Sequence, residues 1–145
     1  DLELYGVNLT SMITRVFSEY GNKLKEKDIE TELNLCDCTV KANSFLEDLF
    51  SNLLENSIKH SRCDKIKVSC KNEEDCLVIF EDDGRGIPDN VKEEIFQRGF
   101  KVGENSGSGL GLYLVKEIVD IYDGQIEVMD SELGGAKFQI KLEKA

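Results

Sequence analysis

No stretch of this sequence approaches the roughly 18 consecutive apolar residues that a membrane-spanning helix needs, so nothing in it is expected to cross a bilayer. Residues 1–30 are charged and helix-periodic, with no basic start leading into an apolar run, which argues against a signal peptide. Positive charge is scarce. Eighteen lysines and arginines stand against 29 aspartates and glutamates, for a net charge of −11. A surface this acidic repels nucleic acid and anionic membrane, and both are discounted as partners. A polyphosphate ligand would be repelled at long range too, so local N–H groups, a metal ion and a few placed cations would have to hold it. Histidine occurs once, at His60, and proline once, at Pro88. The five cysteines are odd in number and irregular in spacing, which argues against a disulfide framework and for a reducing compartment. Cys36 and Cys38 form a C-x-C, but no second ligand pair or nearby histidine accompanies them. They are read as ordinary strand or turn residues and not as a metal site.

What is present fits one soluble domain. The 145 residues are 40% hydrophobic and 32% charged, enough for one continuous core. The start at Asp1 instead of Met leads to the expectation of a longer natural protein, with any membrane segments elsewhere in it.

Apolar spacing predicts a helix over residues 8–27, capped by Asn8. A short strand follows from Ile29 to Leu35. A second helix is predicted over 44–59, with Leu46, Leu49, Phe50, Leu53, Leu54 and Ile58 on its apolar face. Strands are predicted over Lys65–Lys71 and Cys76–Glu81, the second nearly continuous in apolar character and so central. A short helix is expected from about Asp89 to Arg98, and a third long helix from about Leu110 to Asp123, ended by Gly124. Gln125–Asp130 and Ala136–Glu143 read as a hairpin. Neither repeats nor regular β-α-β alternation is present. The expected class is α+β: a two-layer sandwich with a mixed, mostly antiparallel sheet and three main helices on one face.

Three places carry residues suited to chemistry. Asn52, Asn56 and Lys59 share a stripe of the second helix, off its apolar face. An amide oxygen is a hard ligand for magnesium, and a lysine one turn on can meet a phosphate. Two asparagines four apart in an apolar helix call for a reason, because asparagine is a poor helix former. Asp82 ends the apolar strand just before Gly84 and Gly86. A carboxylate there can accept a hydrogen bond from an exocyclic amine, with bare glycine backbone beside the ring. Gly107-Ser108-Gly109-Leu110-Gly111 leads into the third helix, where freed N–H groups and the helix dipole suit an anion. This loop matches neither the P-loop pattern nor the dinucleotide fingerprint. Taken singly, each of these also reads as a solvated face, an ordinary Asp-Asp-Gly turn, or a helix-entry turn.

Together they resemble the ATP-binding domain of sensor histidine kinases, in the superfamily of the Bergerat fold. Leu53-Leu54-Glu55-Asn56-Ser57-Ile58-Lys59-His60-Ser61 is similar to the N box. Asp82-Asp83-Gly84-Arg85-Gly86-Ile87-Pro88 is similar to the first glycine box, and Ile95-Phe96-Gln97-Arg98-Gly99-Phe100 to the phenylalanine box. Gly107-Ser108-Gly109-Leu110-Gly111-Leu112 resembles the second glycine box, and Gly134-Gly135-Ala136-Lys137-Phe138 the closing segment.

The resemblance implies ATP and Mg2+ as cofactors. It assigns magnesium coordination to Asn56, phosphate contact to Lys59, and packing near the nucleotide to His60. It gives the adenine amino group to Asp82, and the adenine pocket to Gly84, Gly86 and Ile87. The phosphates fall to Gly107, Ser108, Gly109, Leu110 and Gly111. Asn52 also belongs to the nucleotide site, at the place where hydrolases of the superfamily carry a glutamate that polarises water. An asparagine cannot act as that base, which favours transfer to a protein acceptor. Glu55 is expected mainly to pair with Lys59. Between the phenylalanine box and the second glycine box only Lys101 to Ser106 intervene, a short lid, with Arg98 and Lys101 as the only nearby basic candidates to contact phosphate.

The implied activity is phosphoryl transfer to a histidine on a separate dimerisation domain, followed by a response regulator, in a cytoplasmic setting. His60 sits beside the donor site and is not the acceptor. Residues 1–7 are expected to be the end of a linker from that dimerisation domain. The isolated domain is expected to be monomeric and the full-length protein a homodimer. The alternatives are a serine kinase of the anti-sigma-factor type and a non-catalytic nucleotide-sensing module.

Overall fold

The structure, a computed structural model, describes residues 3–100 and 110–145. Strand β1 (Tyr5–Asn8) runs into helix α1 (Leu9–Glu19), where the Asn8 side chain accepts a hydrogen bond from the Ser11 N–H at 2.9 Å. This is the expected N-cap, satisfying one of the free donors of the first turn. Leu9, Ile13, Val16 and Phe17 form the buried face. The helix predicted through residue 27 is broken. Tyr20 leaves helical geometry at φ −95°, ψ 6°, next to Gly21, and a separate helix α2 (Gly21–Glu26) follows. Glycine is the weakest helix former after proline, so the break falls there.

Strands β2 (Glu30–Asn34), β4 (Lys65–Asn72), β5 (Cys76–Asp82), β6 (Gln125–Asp130) and β7 (Ala136–Leu142) form one sheet in the order β2-β4-β5-β7-β6. Only the β2–β4 pair is parallel. The mixed, mostly antiparallel sheet is as expected, with β5 central. Ile66, Val68, Val78, Phe80, Phe138 and Ile140 point from it into the core. They meet the buried faces of α1, α3 (Phe45–His60) and α4 (Gly111–Ile121). The helix layer is tied by Tyr122, whose buried hydroxyl donates to Asn43 Oδ1 at 2.6 Å, joining the end of α4 to the entry of α3.

Four further features depart from the sequence reading. Tyr5–Asn8 and β3 (Thr39–Ala42) pair antiparallel in a separate two-stranded sheet that periodicity had not revealed. The helix expected from Asp89 to Arg98 is a 3-10 turn at Asp89–Val91 followed by more turns. The N–H groups of Glu94, Gln97 and Phe100 each donate to the carbonyl three residues back, the bonding of tight turns and not of an α-helix. Helix α4 ends at Ile121 with Tyr122 as its cap; Gly124 lies beyond, its N–H donating to the Val119 carbonyl at 2.9 Å, where a Cβ would stand 2.5 Å from the Lys141 carbonyl oxygen. The left-handed residue is Asp123, at φ 54°. Finally, disulfides join Cys36 to Cys70 and Cys38 to Cys76, with Cα–Cα distances of 5.4 and 6.3 Å, and leave Cys63 free and buried. The odd count forbade complete pairing but not partial pairing. The β4–β5 register, Cys70 opposite Val78 and Cys76 opposite Asn72, puts both strand cysteines on one face as diagonal neighbours.

Candidate functional site

Asp82 closes β5, opposite Ile66 of β4 and on the face that meets α3. It is 1% exposed. Its Oδ2 accepts from the Ser57 hydroxyl at 2.9 Å and its Oδ1 from the Gly84 N–H at 3.0 Å. Burial pushes this carboxyl above its ordinary value; the N–H of Gly84, the Ser57 hydroxyl and the N–H of Ala136 pull the other way. The neighbouring Asp83 does different work. Its Oδ1 accepts from the N–H groups of Asp64 and Lys65, at 2.8 and 2.9 Å, and so ties the β5 tip to the start of β4.

The backbone around Asp82 is bare because side chains would not fit. A Cβ on Gly135 would stand 2.2 Å from Asp82 Oδ1, and one on Gly84 would stand 2.2 Å from the Ser61 carbonyl oxygen. Gly86 takes φ 71°, a conformation that glycine adopts without strain. Ile87, next in the chain, is 9% exposed and joins the core. Its carbonyl is held by Lys92, whose ammonium donates to it at 2.6 Å and also to Asp89 Oδ1 (2.6 Å) and Asp130 Oδ1 (2.9 Å). The following hydrophobic turn is anchored by Ile95, buried, and by Phe96, edge-on to Phe138 at 6.3 Å.

On α3, Asn52 and Asn56 are half-buried one turn apart. Asn52 donates from Nδ2 to the Asp48 carbonyl at 2.8 Å. Its Oδ1 faces the start of α4, 3.3 Å from where a Gly111 Cβ would stand. The N-box helix and the entry of α4 therefore meet. Lys59 is exposed and pairs with Glu55 at 3.7 Å. Glu55 also accepts from the Tyr20 hydroxyl at 2.9 Å. The acid beside Asn56 is thus engaged in a structural pair, the role expected for it. His60 is half-buried, and burial, then the charges of Lys59, Arg85 and Lys27, hold its imidazole below the ordinary value.

The family described as histidine kinase-, DNA gyrase B-, and HSP90-like ATPase matches residues 41–145. The chain belongs to that family. Within this ATPase family it is of the histidine kinase type. It is 33% identical to the sensor protein PhoQ of Escherichia coli K12 over 135 residues, 92% of this chain and 26% of PhoQ. The chain therefore spans about a quarter of the length of the curated relatives it matches. It superposes on the nucleotide-free catalytic domain of histidine kinase ThkA with a TM-score of 0.88, at 26% identity and 99% coverage of both chains. On the mycobacterial sensor histidine kinase MprB the TM-score is 0.85, at 27% identity and 97% coverage of both. The two-layer fold expected of the ATPase family is thus observed.

The described site residues expected from the sequence fall on three elements of the ATPase domain. Asn52, Asn56 and Lys59 lie along α3, Asp82, Gly84, Gly86 and Ile87 at the tip of β5, and Leu110 and Gly111 at the entry of α4. Lys101, Gly107, Ser108 and Gly109 lie outside the described residues. Of the two basic candidates near the lid, Arg98 lies over the Tyr113 ring at 6.0 Å, against α4. Sequence reasoning missed Ser57, Lys92 and Gly135. Ser57 stood inside the quoted N box, but its hydroxyl faces Asp82 only because α3 packs across β5. Lys92 and Asp130 are 38 positions apart and meet only in the fold. An open groove of about 520 Å³, lined by Phe17, Leu24, Ile29 and Thr31 among others, lies elsewhere and contains none of the expected site residues.

Proposed function

We propose that this domain binds ATP with magnesium and donates the γ-phosphoryl group to a histidine on a separate dimerisation domain. The reading is supported above all by one observation: a buried carboxylate, Asp82, bordered by glycine backbone at Gly84, Gly86 and Gly135. An ionised carboxylate in that setting accepts a hydrogen bond from the adenine amino group, and no Cβ stands between ring and backbone. Asn52 lies beside the start of α4, with Asn56 one turn further along α3, and there Leu110, Gly111 and the loop from Gly107 would meet the phosphates. Lys59 turns from Glu55 to phosphate, and His60, neutral, packs near the nucleotide.

Magnesium fits the donor set. Among the described residues no three or more His, Cys, Asp or Glu side chains group to hold a metal ion. An amide oxygen from Asn56 together with phosphate oxygens suits an ion that keeps most of its own water. When bound, magnesium neutralises triphosphate charge in an acidic protein. Asn52 has no basic group to activate water, which supports transfer over hydrolysis. The acceptor domain and a response regulator would be the partners. The full-length protein would work as a homodimer on the cytoplasmic side, with residues 1–7 leading from the dimerisation domain. Among the described residues no helix is long and apolar enough to cross a membrane.

Calorimetry with ATP, with and without magnesium, tests the binding. Adding an acceptor hairpin tests the transfer. An acid-labile phosphoryl group on histidine is the expected product, and an acid-stable phosphoserine would point to the serine-kinase alternative. No magnesium-dependent ATP binding would leave only an interaction module.

A further inference from the structure

The four paired cysteines gather around one tripeptide at the end of β5 remote from Asp82. All three carbonyls of Cys36-Asp37-Cys38 are used. Cys36 accepts from Thr10 Oγ1 at 2.8 Å, Asp37 from Asn72 Nδ2 at 2.8 Å, and Cys38 from the Leu9 N–H at 3.0 Å. The tripeptide therefore joins the first residues of α1 to the β4–β5 hairpin, and it leads directly into β3, the partner of β1. Both disulfides reinforce that junction, running from the tripeptide to Cys70 and Cys76.

The two bonds differ in access. Cys38 and Cys76 are 3% and 0% exposed, whereas Cys36 and Cys70 are half-buried. Attack by an external thiolate needs a reachable sulfur, and accessible disulfides are the labile ones. We propose that Cys36–Cys70 is a reversible thiol–disulfide switch that locks the β1–α1–β3 layer to the main sheet, and that Cys38–Cys76 is its permanent companion. In the reducing direction one glutathione thiolate attacks either sulfur, forming a mixed disulfide and releasing the other cysteine as a thiolate. A second glutathione thiolate attacks the glutathione sulfur of that mixed disulfide and releases the remaining cysteine as a thiolate. Two cysteine thiols and one oxidised glutathione result, for two electrons and two protons; oxidised glutathione reverses the step. Opening the bond leaves the Thr10–Cys36 hydrogen bond without covalent support and loosens the N-terminal layer. Asp82 pairs with Ile66, four residues along β4 from Cys70 and roughly 13 Å away at 3.3 Å per residue, beyond direct contact with the bond, so nucleotide affinity is not the readout.

The test is a glutathione redox titration of the whole chain, read by cysteine alkylation and peptide mass spectrometry. Before treatment only Cys63 should label, after unfolding. Mild reduction should expose Cys36 and Cys70 while Cys38 and Cys76 stay protected. Oxidised glutathione should close the pair again. Hydrogen exchange at Leu9, Thr10 and β1 should quicken on the order of tenfold on opening, and the melting temperature should fall by about 10 °C. The C36S/C70S variant should show the quickened exchange without reductant and no response to glutathione. Five free thiols in air-oxidised protein, simultaneous opening of both bonds, failure to reclose, stoichiometric zinc on the four cysteines, or exchange unchanged by reduction or in the variant would each overturn the proposal.

Discussion

The Ser57 hydroxyl donates to Asp82 Oδ2 at 2.9 Å, linking helix α3 to the tip of the central strand β5. Both residues are buried, Ser57 at 2% and Asp82 at 1% exposure. The bond fixes one carboxylate oxygen, and the Gly84 N–H fixes the other. The adenine assignment therefore rests on a group whose orientation is set before any ligand arrives. Asp82→Asn removes the charge from that acceptor. ATP affinity should fall about 10- to 100-fold, the equivalent of a charge-assisted bond of roughly 1.5–3 kcal/mol. Unchanged affinity by calorimetry would remove Asp82 from the adenine site.

The same carboxyl makes a pH prediction. Its pKa is raised in the folded state by burial. A raised carboxyl holds its proton more readily folded than unfolded, so its contribution to stability is fully present below the ordinary aspartate range. That contribution is lost as pH rises through the raised value. Wild type should therefore lose stability relative to Asp82→Asn over this window in denaturant titrations. ATP binding should move the opposite way, strengthening as the carboxyl ionises, and this dependence should vanish in Asp82→Asn.

Gly135→Ala should perturb the site from the turn between β6 and β7. The added Cβ would lie 2.2 Å from Asp82 Oδ1 and 2.6 Å from the Gly84 nitrogen, both parts of the same hydrogen bond. The expected cost is about 1–3 kcal/mol in stability, as for other overpacked sites, with weakened nucleotide binding. Gly21→Ala is the control, because nothing lies within 4 Å of the new methyl. It should be neutral or stabilise by about 0.4–1 kcal/mol. Equal behaviour of the two variants in thermal denaturation would refute the close approach.

Asn56→Ala should leave the fold intact, since its side chain is half-buried and outside the apolar face of α3. Magnesium-dependent transfer to an added acceptor domain should drop by at least about 10²-fold, the scale of removing one electrostatic stabiliser from a reacting group. Binding of ATP in the absence of magnesium should change little. Wild-type transfer rates in Asn56→Ala would exclude the residue from the metal site.

Lys92 is a further positioning residue to test. Its side chain is 15% exposed and meets three acceptors: the Ile87 carbonyl, Asp89 and Asp130. Lys92→Met keeps the aliphatic stem and deletes the donors. It should destabilise the domain by about 1.5–3 kcal/mol and raise the Kd for ATP, because Ile87 is no longer tied to β6. If Lys92→Met matches wild type in both melting and ATP titration, the three bonds carry no weight.

Local pattern carried much of this protein. The alternation of Lys65–Lys71 and the continuous apolar run from Cys76 specified two strands, the second of them central, and both form within a residue of expectation. The apolar face of α3 placed Asn52 and Asn56 together, since one helical turn separates them whatever surrounds the helix. Asn8 was legible as a cap because capping involves only the next three residues. By contrast, β1 and β3 are four residues each and too short for periodicity to speak. The segment after Pro88 had the spacing of a helix but bonds as tight turns.

By itself, then, the sequence determined which residue types stood at which turns and strand ends: an amide stripe on one helix, a carboxylate before two glycines, an apolar central strand. Those are short-range matters of propensity, period and capping. Tertiary structure alone decided that Ser57 meets Asp82, that Lys92 reaches Asp130, and that Gly135 has no room for a methyl. It also decided that four irregularly spaced cysteines come within bonding reach. Each of these contacts joins segments far apart in the chain, and its existence depends on strand register and helix packing, which no local pattern encodes.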